Sequence, residues 1–318
     1  MSVLVIPEHD VRRLLPMDEC IDAMDEILRA LARGELHQPL RFVTRPPGAQ
    51  SLMGFMPAHR SGDSSTWSLK EIVIAPGNSA RGLDAHQGAV LLHDGETGEL
   101  QAILNASPIT EIRTAAVSAV ATRALARPGA RTVAIIGAGV QARSHAEAMR
   151  AVLGDVEIRS WSRREGGTAE AVLAGADVVC TCTSAHEPVL RREWLAPGTH
   201  VNAVGASLPT ARELDSATVA AARLFVDRRE SATNEAGDFL VPKREGLVGD
   251  DHIVGEIGEL LVDTPRIAGR RSADELTVFK SLGLAIEDVA AARRIYDRAV
   301  ATGAGSWVDL GGLRDAAA

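Results

Sequence analysis

The stretch TVAIIGAGVQARSHAEAM, residues 132–149, decides the fold. Its first half is an apolar run with β-branched residues, and its second half is rich in helix formers. Between the two halves stand Gly137, Gly139 and Ala142, spaced as G-x-G-x-x-A, with Val140 and Gln141 completing the turn. A strand that passes straight into a helix needs a glycine where the chain reverses. The second glycine lets a pyrophosphate approach the backbone, and the small third residue lets helix and strand pack closely. The helix N-terminus adds unpaired N–H groups and a partial positive charge. The spacing alone is a weak signal. At a strand-to-helix junction followed by a second strand, it predicts a dinucleotide site built on Gly137, Gly139, Val140, Gln141 and Ala142.

Downstream, VEIRSW (156–161), ADVVCTCTS (176–184), THVNAVGAS (199–207) and ARLFVDRR (222–229) are short, largely apolar runs with helical segments between several of them. Such alternation predicts a parallel sheet covered on both faces, a Rossmann-type doubly wound α/β fold. Only TAEAVLAGA (168–176) can form a helix between Arg164 and Asp177. The sheet is therefore expected to be trimmed after its second strand. That strand ends where the adenosine ribose is read in such folds, and Ser162, Arg163 and Arg164 follow it. A site for an unphosphorylated ribose wants Asp or Glu there. A hydroxyl and two guanidinium groups suit a 2′-phosphate instead, so NADP(H) is expected over NAD(H). Glu157 falls mid-strand and is set aside.

Upstream, residues 18–33 show an amphipathic pattern with Ile21, Met24, Ile27, Leu28 and Leu31 on one face. SLMGFMPA (51–58), WSLKEIVIA (67–75), QGAVLLHD (87–94) and LQAILNA (100–106) are strand candidates, and DGETGE (94–99) is a turn between the last two. An Ala-rich helix is expected over 109–126, capped by Ser107 with Pro108 in its first turn. A final helix is expected over about 286–301.

Composition excludes several function classes. The 318 residues are 46% apolar and carry a net charge of −8, which disfavours nucleic acid or an anionic membrane as partner. Aromatic residues are only 3%, too few for base-stacking platforms. No apolar run reaches the roughly 18 residues of a membrane span. The start MSVLVIPEHD shows neither a basic n-region nor a cleavage site, so a cytoplasmic protein is expected. Cys20, Cys180 and Cys182 form neither a disulfide framework nor a zinc spacing and read as buried small side chains. The nine histidines suggest no metal cluster, and Tyr296 is followed by Val300, so the Tyr-x-x-x-Lys pair of short-chain dehydrogenases is missing.

The dinucleotide loop stands in a longer series: Arg41, MPA (56–58), Lys70, PGN (76–78), ITEIRTAAVSAVATRALA (109–126), GAD (175–177), NAVGAS (202–207), AREL (211–214), VD (226–227), EAGD (235–238) and ELTVFKSLGLAIEDVAAARRIY (275–296). In this order they resemble the ornithine cyclodeaminase/mu-crystallin family over nearly the whole chain. The resemblance implies a Rossmann domain, 119–289, inserted in a second α+β domain, 1–118 plus 290–318, that binds substrate and mediates dimerisation. It implies a homodimer acting on small α-imino or α-amino acids with NAD(P)(H). By the same resemblance Arg41 and Arg113 clamp the substrate carboxylate and Lys70 lies beside the reacting carbon. Ser281 and Leu282 lie near the nicotinamide, and Thr183 and Gly205 also belong to the cofactor-binding set. Taken alone, Arg41 and Arg113 read as surface charges; Lys70, inside an apolar strand, is less bland. A lysine desolvated beside arginines should have a lowered pKa and exchange protons near neutrality. Glu230, Glu235 and Asp238 read as a loop near the cofactor mouth or as solvated charges.

Cyclodeaminases of the family tend to carry an acid shortly after the glycine of the NAVG segment, where this chain has Ser207. The pattern is closer to the ketimine reductases. Reduction of a cyclic ketimine or imino acid carboxylate to an L-amino acid is therefore expected, Δ1-pyrroline-2-carboxylate and Δ1-piperideine-2-carboxylate being the leading forms. An ornithine or lysine cyclodeaminase, an alanine-dehydrogenase-like enzyme and a non-catalytic carboxylate binder are the alternatives. Leu69 replaces a glycine common in relatives, which bears on pocket depth beside Lys70.

Overall fold

The computed structural model describes residues 2–62 and 65–311. In chain order it begins with β1 (Ser2–Ile6), α1 (Glu8–Leu14) and α2 (Met17–Arg33). Next come β2 (Leu36–His37), β3 (Phe42–Thr44), β4 (Leu52–Arg60), β5 (Thr66–Ile74), β6 (His86–Asp94), β7 (Leu100–Asn105) and α3 (Ala106–Leu125). Then follow β8 (Thr132–Ile136), α4 (Val140–Leu153), β9 (Glu157–Trp161), α5 (Glu170–Leu173), β10 (Val178–Thr181) and β11 (His200–Ala203). The remainder is α6 (Ser216–Ala221), β12 (Arg223–Val226), α7 (Arg229–Glu235), α8 (Gly237–Arg244), β13 (Ile253–Glu256), α9 (Ile257–Leu261), β14 (Thr277–Lys280), α10 (Ala285–Thr302) and β15 (Ser306–Asp309). Two compact units result: residues up to 23, 34–113 and from 284 onward form the first, and 24–33 with 114–283 form the second.

The first unit holds a sheet in the order β15-β1-β7-β6-β5-β4-β2, with β3 also paired to β4. Strands β4 to β7 are antiparallel neighbours; β1 adds parallel to β7, and β15 antiparallel to β1. Alternation along β4 and β5 buries Leu52, Gly54, Met56, Ala58, Thr66, Ser68, Lys70 and Ile72, the period-two pattern of a sheet with one face covered. Helix α10 lies across β4, β5 and β6. It buries Ile286, Val289, Ala292, Ile295 and Ala299 and ends at Gly303, which takes the left-handed φ of 67°.

The second unit is a seven-stranded sheet in the order β13-β12-β14-β11-β10-β8-β9, every pairing parallel. Strands β10, β11 and β14 are buried along their whole length, as expected of parallel strands covered on both sides. The edge at β9 is trimmed, for between it and β10 there are only a 3₁₀ turn (Arg163–Glu165) and the four-residue α5.

Some elements differ from the sequence expectations. Helix α3 starts at Ala106, because Asn105, an equally good N-cap, accepts the Ser107 N–H at 3.0 Å. The Ser107 hydroxyl instead donates to Asp84 at 2.8 Å. Strands β1, β13, β14 and β15, each four or five residues long, are not among the strands expected from the sequence. Among the described residues no helix is long and apolar enough to cross a membrane.

Candidate active site

In the first unit, β5, the start of α3 and α10 bring four charged residues together out of water. The Lys70 ammonium lies 3.1 and 2.8 Å from the two carboxylate oxygens of Asp288. The Arg113 guanidinium pairs with Glu287 through Nη1 and approaches Asp288 through Nε at 3.3 Å. The side chains of Lys70, Glu287 and Asp288 are at most 1% exposed. Such a group is stable only because each charge has its partner. Gln38 holds the start of α10, its side-chain oxygen accepting the Ile286 N–H at 3.0 Å.

Burial drives the Lys70 pKa down from its ordinary 10.5 to about 8; the nearby Arg113 pushes the same way, and Asp288 opposes both. His86, on the same sheet face at the start of β6, is lowered by burial and by the charges of Lys70 and Arg113. Around Lys70 the face is mostly apolar, with Ser68 the nearest polar side chain on that face of its own strand. Met56 and Val90 are its cross-strand partners, and Gly54, Ala58, Gly88 and Ile72 surround them. Arg41, the other expected clamp residue, sits half-exposed just before β3.

Glu287 and Asp288 were legible from the sequence only as two acids in the first turn of α10, a placement that the helix dipole alone explains. His86 gave no local signal. Both arise from tertiary placement.

In the second unit, the turn from β8 to α4 fits a dinucleotide pyrophosphate. Gly137 has φ 133°, and a Cβ there would fall 2.5 Å from the Cys182 carbonyl oxygen. Gly139 is the N-cap of α4, no side chain caps it, and a Cβ placed there would meet nothing within 4 Å. The first N–H groups of this fourteen-residue helix have no acceptor within the helix. Ala142 is buried, as close helix–strand packing requires. His145 fixes this turn: its ring nitrogens lie 2.8 Å from the Gln141 carbonyl and 2.9 Å from the Ser118 hydroxyl. Burial brings its pKa to about 4, so it is neutral at pH 7. Nδ1–H must donate to the carbonyl, which leaves Nε2 to accept from Ser118.

At the end of β9, Arg163 and Arg164 are exposed, while Ser162 is buried and donates to Glu165 at 2.9 Å. Glu165 is therefore an acid in the neighbourhood that sequence reading took as purely basic. Glu157 is exposed and paired with Arg159. The remaining expected cofactor residues cluster where neighbouring strands end: Thr183 after β10, Gly205 after β11, Ser281 and Leu282 after β14. Asp238 is not a solvated loop residue. It lies buried in α8 and accepts the N–H groups of Glu213 and Leu214 at 2.8 and 2.9 Å. Glu230 does face solvent, paired with Arg228. Cys180 is buried beside Asn202, its thiol pushed up to about 12, which makes it inert. Among the described residues no three His, Cys, Asp or Glu side chains are grouped to hold a metal.

Comparisons agree with this geometry. The ornithine cyclodeaminase/mu-crystallin family model matches residues 2–174 and 167–303. Ketimine reductase mu-crystallin of Mus musculus is 39% identical over 282 residues, covering 83% of this chain and 86% of the relative. Among solved structures, Thermococcus litoralis Δ1-pyrroline-2-carboxylate reductase in complex with NADH and L-proline superposes with a TM-score of 0.89 at 33% identity, covering 96% of this chain and 99% of the other. An archaeal alanine dehydrogenase dimer with bound NAD gives a TM-score of 0.91 at 32% identity, covering 98% of this chain and all of the other. With its two sheets, its glycine turn and its buried Lys70–Arg113 group, this chain belongs to the ornithine cyclodeaminase/mu-crystallin family.

Proposed function

We propose that the protein reduces a small cyclic ketimine carboxylate, of the Δ1-pyrroline-2-carboxylate or Δ1-piperideine-2-carboxylate type, to the corresponding L-amino acid. The observation that carries this reading is Lys70, a buried lysine with a pKa of about 8 that shares Asp288 with Arg113. A bound nicotinamide dinucleotide supplies the hydride. The protein supplies binding and the proton. Arg113, with Arg41, holds the substrate carboxylate through paired N–H···O bonds and so fixes the plane of the C=N group. Lys70, protonated at pH 7, hydrogen-bonds the substrate and stabilises charge at the reacting centre. Asp288 holds the ammonium in place. The first unit binds substrate, and the second holds the dinucleotide at Gly137, Gly139, Val140, Gln141, Ala142, Thr183, Gly205, Ser281 and Leu282.

The carboxylates nearest Lys70, Glu287 and Asp288, are already paired with Arg113 and Lys70. The distal ammonium of ornithine or lysine would find no free carboxylate partner in that group. This favours reduction of an imine over cyclodeamination, in keeping with Ser207. NADP(H) is the preferred cofactor, because two exposed guanidinium groups, Arg163 and Arg164, follow β9 and can pair with a 2′-phosphate. Glu165 supports the second reading, NAD(H), since a carboxylate can accept bonds from ribose hydroxyls.

The test is a panel assayed with NADPH and NADH separately: the two cyclic ketimines, pyruvate or oxaloacetate with ammonia, and ornithine with NAD⁺. We expect rapid turnover of one cyclic ketimine with NADPH, and Arg163→Ala/Arg164→Ala should raise the NADPH KM about tenfold while leaving the NADH KM unchanged. Consumption of ornithine alone, with ammonia released and no net cofactor change, would make it a cyclodeaminase. Equal use of both cofactors by wild type and variant would remove the basic reading of Arg163 and Arg164.

The protein is also proposed to be a cytoplasmic homodimer. The sheet face opposite α10 carries Phe55, Leu69, Val73 and Leu91, with Phe42 63% and Trp67 47% exposed at its surface. An apolar patch of this kind marks an association surface, and stacking two copies on it closes a symmetric pair. Sedimentation velocity at micromolar concentration should give about twice the chain mass; a monomer there would exclude this assembly.

A further inference from the structure

Beneath the strand ends of the second unit lies a set of buried charges with no part in the chemistry proposed above. Glu213 is fully buried. Its Oε1 accepts from the Thr183 N–H at 2.6 Å and the Thr183 hydroxyl at 2.7 Å. Its Oε2 accepts from the Thr181 hydroxyl at 2.8 Å and the Gly205 N–H at 2.7 Å. One carboxylate thus satisfies four donors from the exits of two adjacent strands, β10 and β11. Gly205 is pressed against this arrangement, for a Cβ there would lie 1.9 Å from the Thr183 carbonyl oxygen.

The neighbouring charges extend the same pattern. Asp238 accepts the Glu213 and Leu214 N–H groups, which fixes the backbone that carries Glu213. Lys280, at the end of β14, lies 3.3 Å from Asp238 and donates to the Ala203 carbonyl on β11 at 3.0 Å. Asp227, at the end of β12, accepts the Leu282 and Gly283 N–H groups at 2.5 and 2.8 Å. Four strand exits are therefore tied by buried carboxylates and one lysine. In an open parallel sheet, ligands bind outside the carboxyl ends of the strands. The adenosine half of a dinucleotide lies on the first strands, here β8 and β9. By the same rule its nicotinamide half would lie over the strands beyond, here β10, β11 and β14.

We propose that Glu213 is a positioning residue that sets the nicotinamide half of the cofactor site by locking the exits of β10 and β11 through Thr183 and Gly205. This rests on the dinucleotide reading given above. A backbone already held in place costs no reorganisation when a ligand docks on it, and a structural shift of about 1 Å is enough to spoil hydride alignment. Glu213→Gln is the direct perturbation. Its amide can present only one acceptor oxygen, so an NH₂ group would face either the Thr183 or the Gly205 N–H.

The experiment compares full and half cofactors on the intact protein. Wild type and Glu213→Gln are titrated calorimetrically with NADPH and with 2′-phospho-ADP-ribose, which lacks the nicotinamide; NADH and ADP-ribose form the parallel pair. We expect the variant to bind the full dinucleotide about tenfold or more weakly, while its affinity for the half cofactor stays within about twofold of wild type. Its kcat should fall as well, with the KM for the ketimine unchanged. Equal loss for both ligands means that Glu213 serves only general stability, and no loss for either means that the clamp is idle; both results overturn the proposal. Should Glu213→Gln fail to fold, Thr183→Val removes one of the four donors and must show the same selective loss in smaller degree. Failure of wild type to bind any of the four ligands would instead overturn the dinucleotide reading itself.

Discussion

Replacing Lys70 by Met is expected to lower kcat for ketimine reduction by about three orders of magnitude, within the range that positioned proton-transfer groups contribute. The ammonium lies within reach of both oxygens of Asp288, so its removal leaves that buried carboxylate with Arg113 as its remaining cation, at a cost of about 2–3 kcal/mol. The variant should therefore unfold at a clearly lower temperature, and activity must be measured well below that point. Lys70→Met/Asp288→Asn removes both charges; it should recover part of the stability and none of the activity. Turnover by Lys70→Met at the wild-type rate would take Lys70 out of the chemistry.

In the proposed role, the same lysine should also set the pH dependence. With a pKa of about 8, its protonated form declines above that value. Ketimine reduction, which uses the ammonium, should fall about tenfold per pH unit above pH 8. Amino acid oxidation, which uses the neutral amine, should rise to a plateau over the same range. For folding, the unfolded chain holds this proton up to about 10.5 and the folded one only to about 8. Between those values the unfolded state binds more protons, so this residue makes stability rise with pH. The rise should vanish in Lys70→Met. Identical pH–rate profiles in the two directions would exclude Lys70 as the titrating group.

The second large effect is expected from two glycines that fail in different ways. Gly139→Val meets open space at a φ of −83° that any residue adopts. It should fold with an unchanged melting temperature yet lose at least about 100-fold in NADPH affinity, because its side chain fills the approach to the first N–H groups of α4. Gly205→Ala has no such room, its Cβ overlapping the Thr183 backbone. It should lose about 3 kcal/mol or more of stability. A Gly139→Val protein that binds NADPH as tightly as wild type would place the pyrophosphate elsewhere.

Much of the second unit was legible in the chain. Parallel strands buried on both faces must be apolar throughout, so β8, β10, β11 and β12 announce themselves. The G-x-G-x-x-A spacing is a local demand of one turn, and local demands survive in linear sequence. The short interval after Arg164 likewise shows directly that no further strand fits before β10. Less was legible at β13, an edge strand whose burial alternates over only four residues. The start of α3 was misplaced because Asn105 and Ser107 are both good caps and only the fold assigns Ser107 to Asp84.

The sequence by itself determined a Rossmann-type sheet, a glycine-rich strand-to-helix turn at Gly137–Ala142 and a lysine, Lys70, inside a largely apolar strand. Tertiary structure alone decided what surrounds that lysine. Residues 70, 113, 287 and 288 stand far apart in the chain, and nothing local distinguishes a buried acid in α10 from one that merely favours the helix dipole. It likewise decided that Glu213 and Asp238 lie beneath the strand ends rather than in water. Ionisable groups take their character from burial and from the charges beside them, and both are properties of packed space, where residues two hundred positions apart become neighbours.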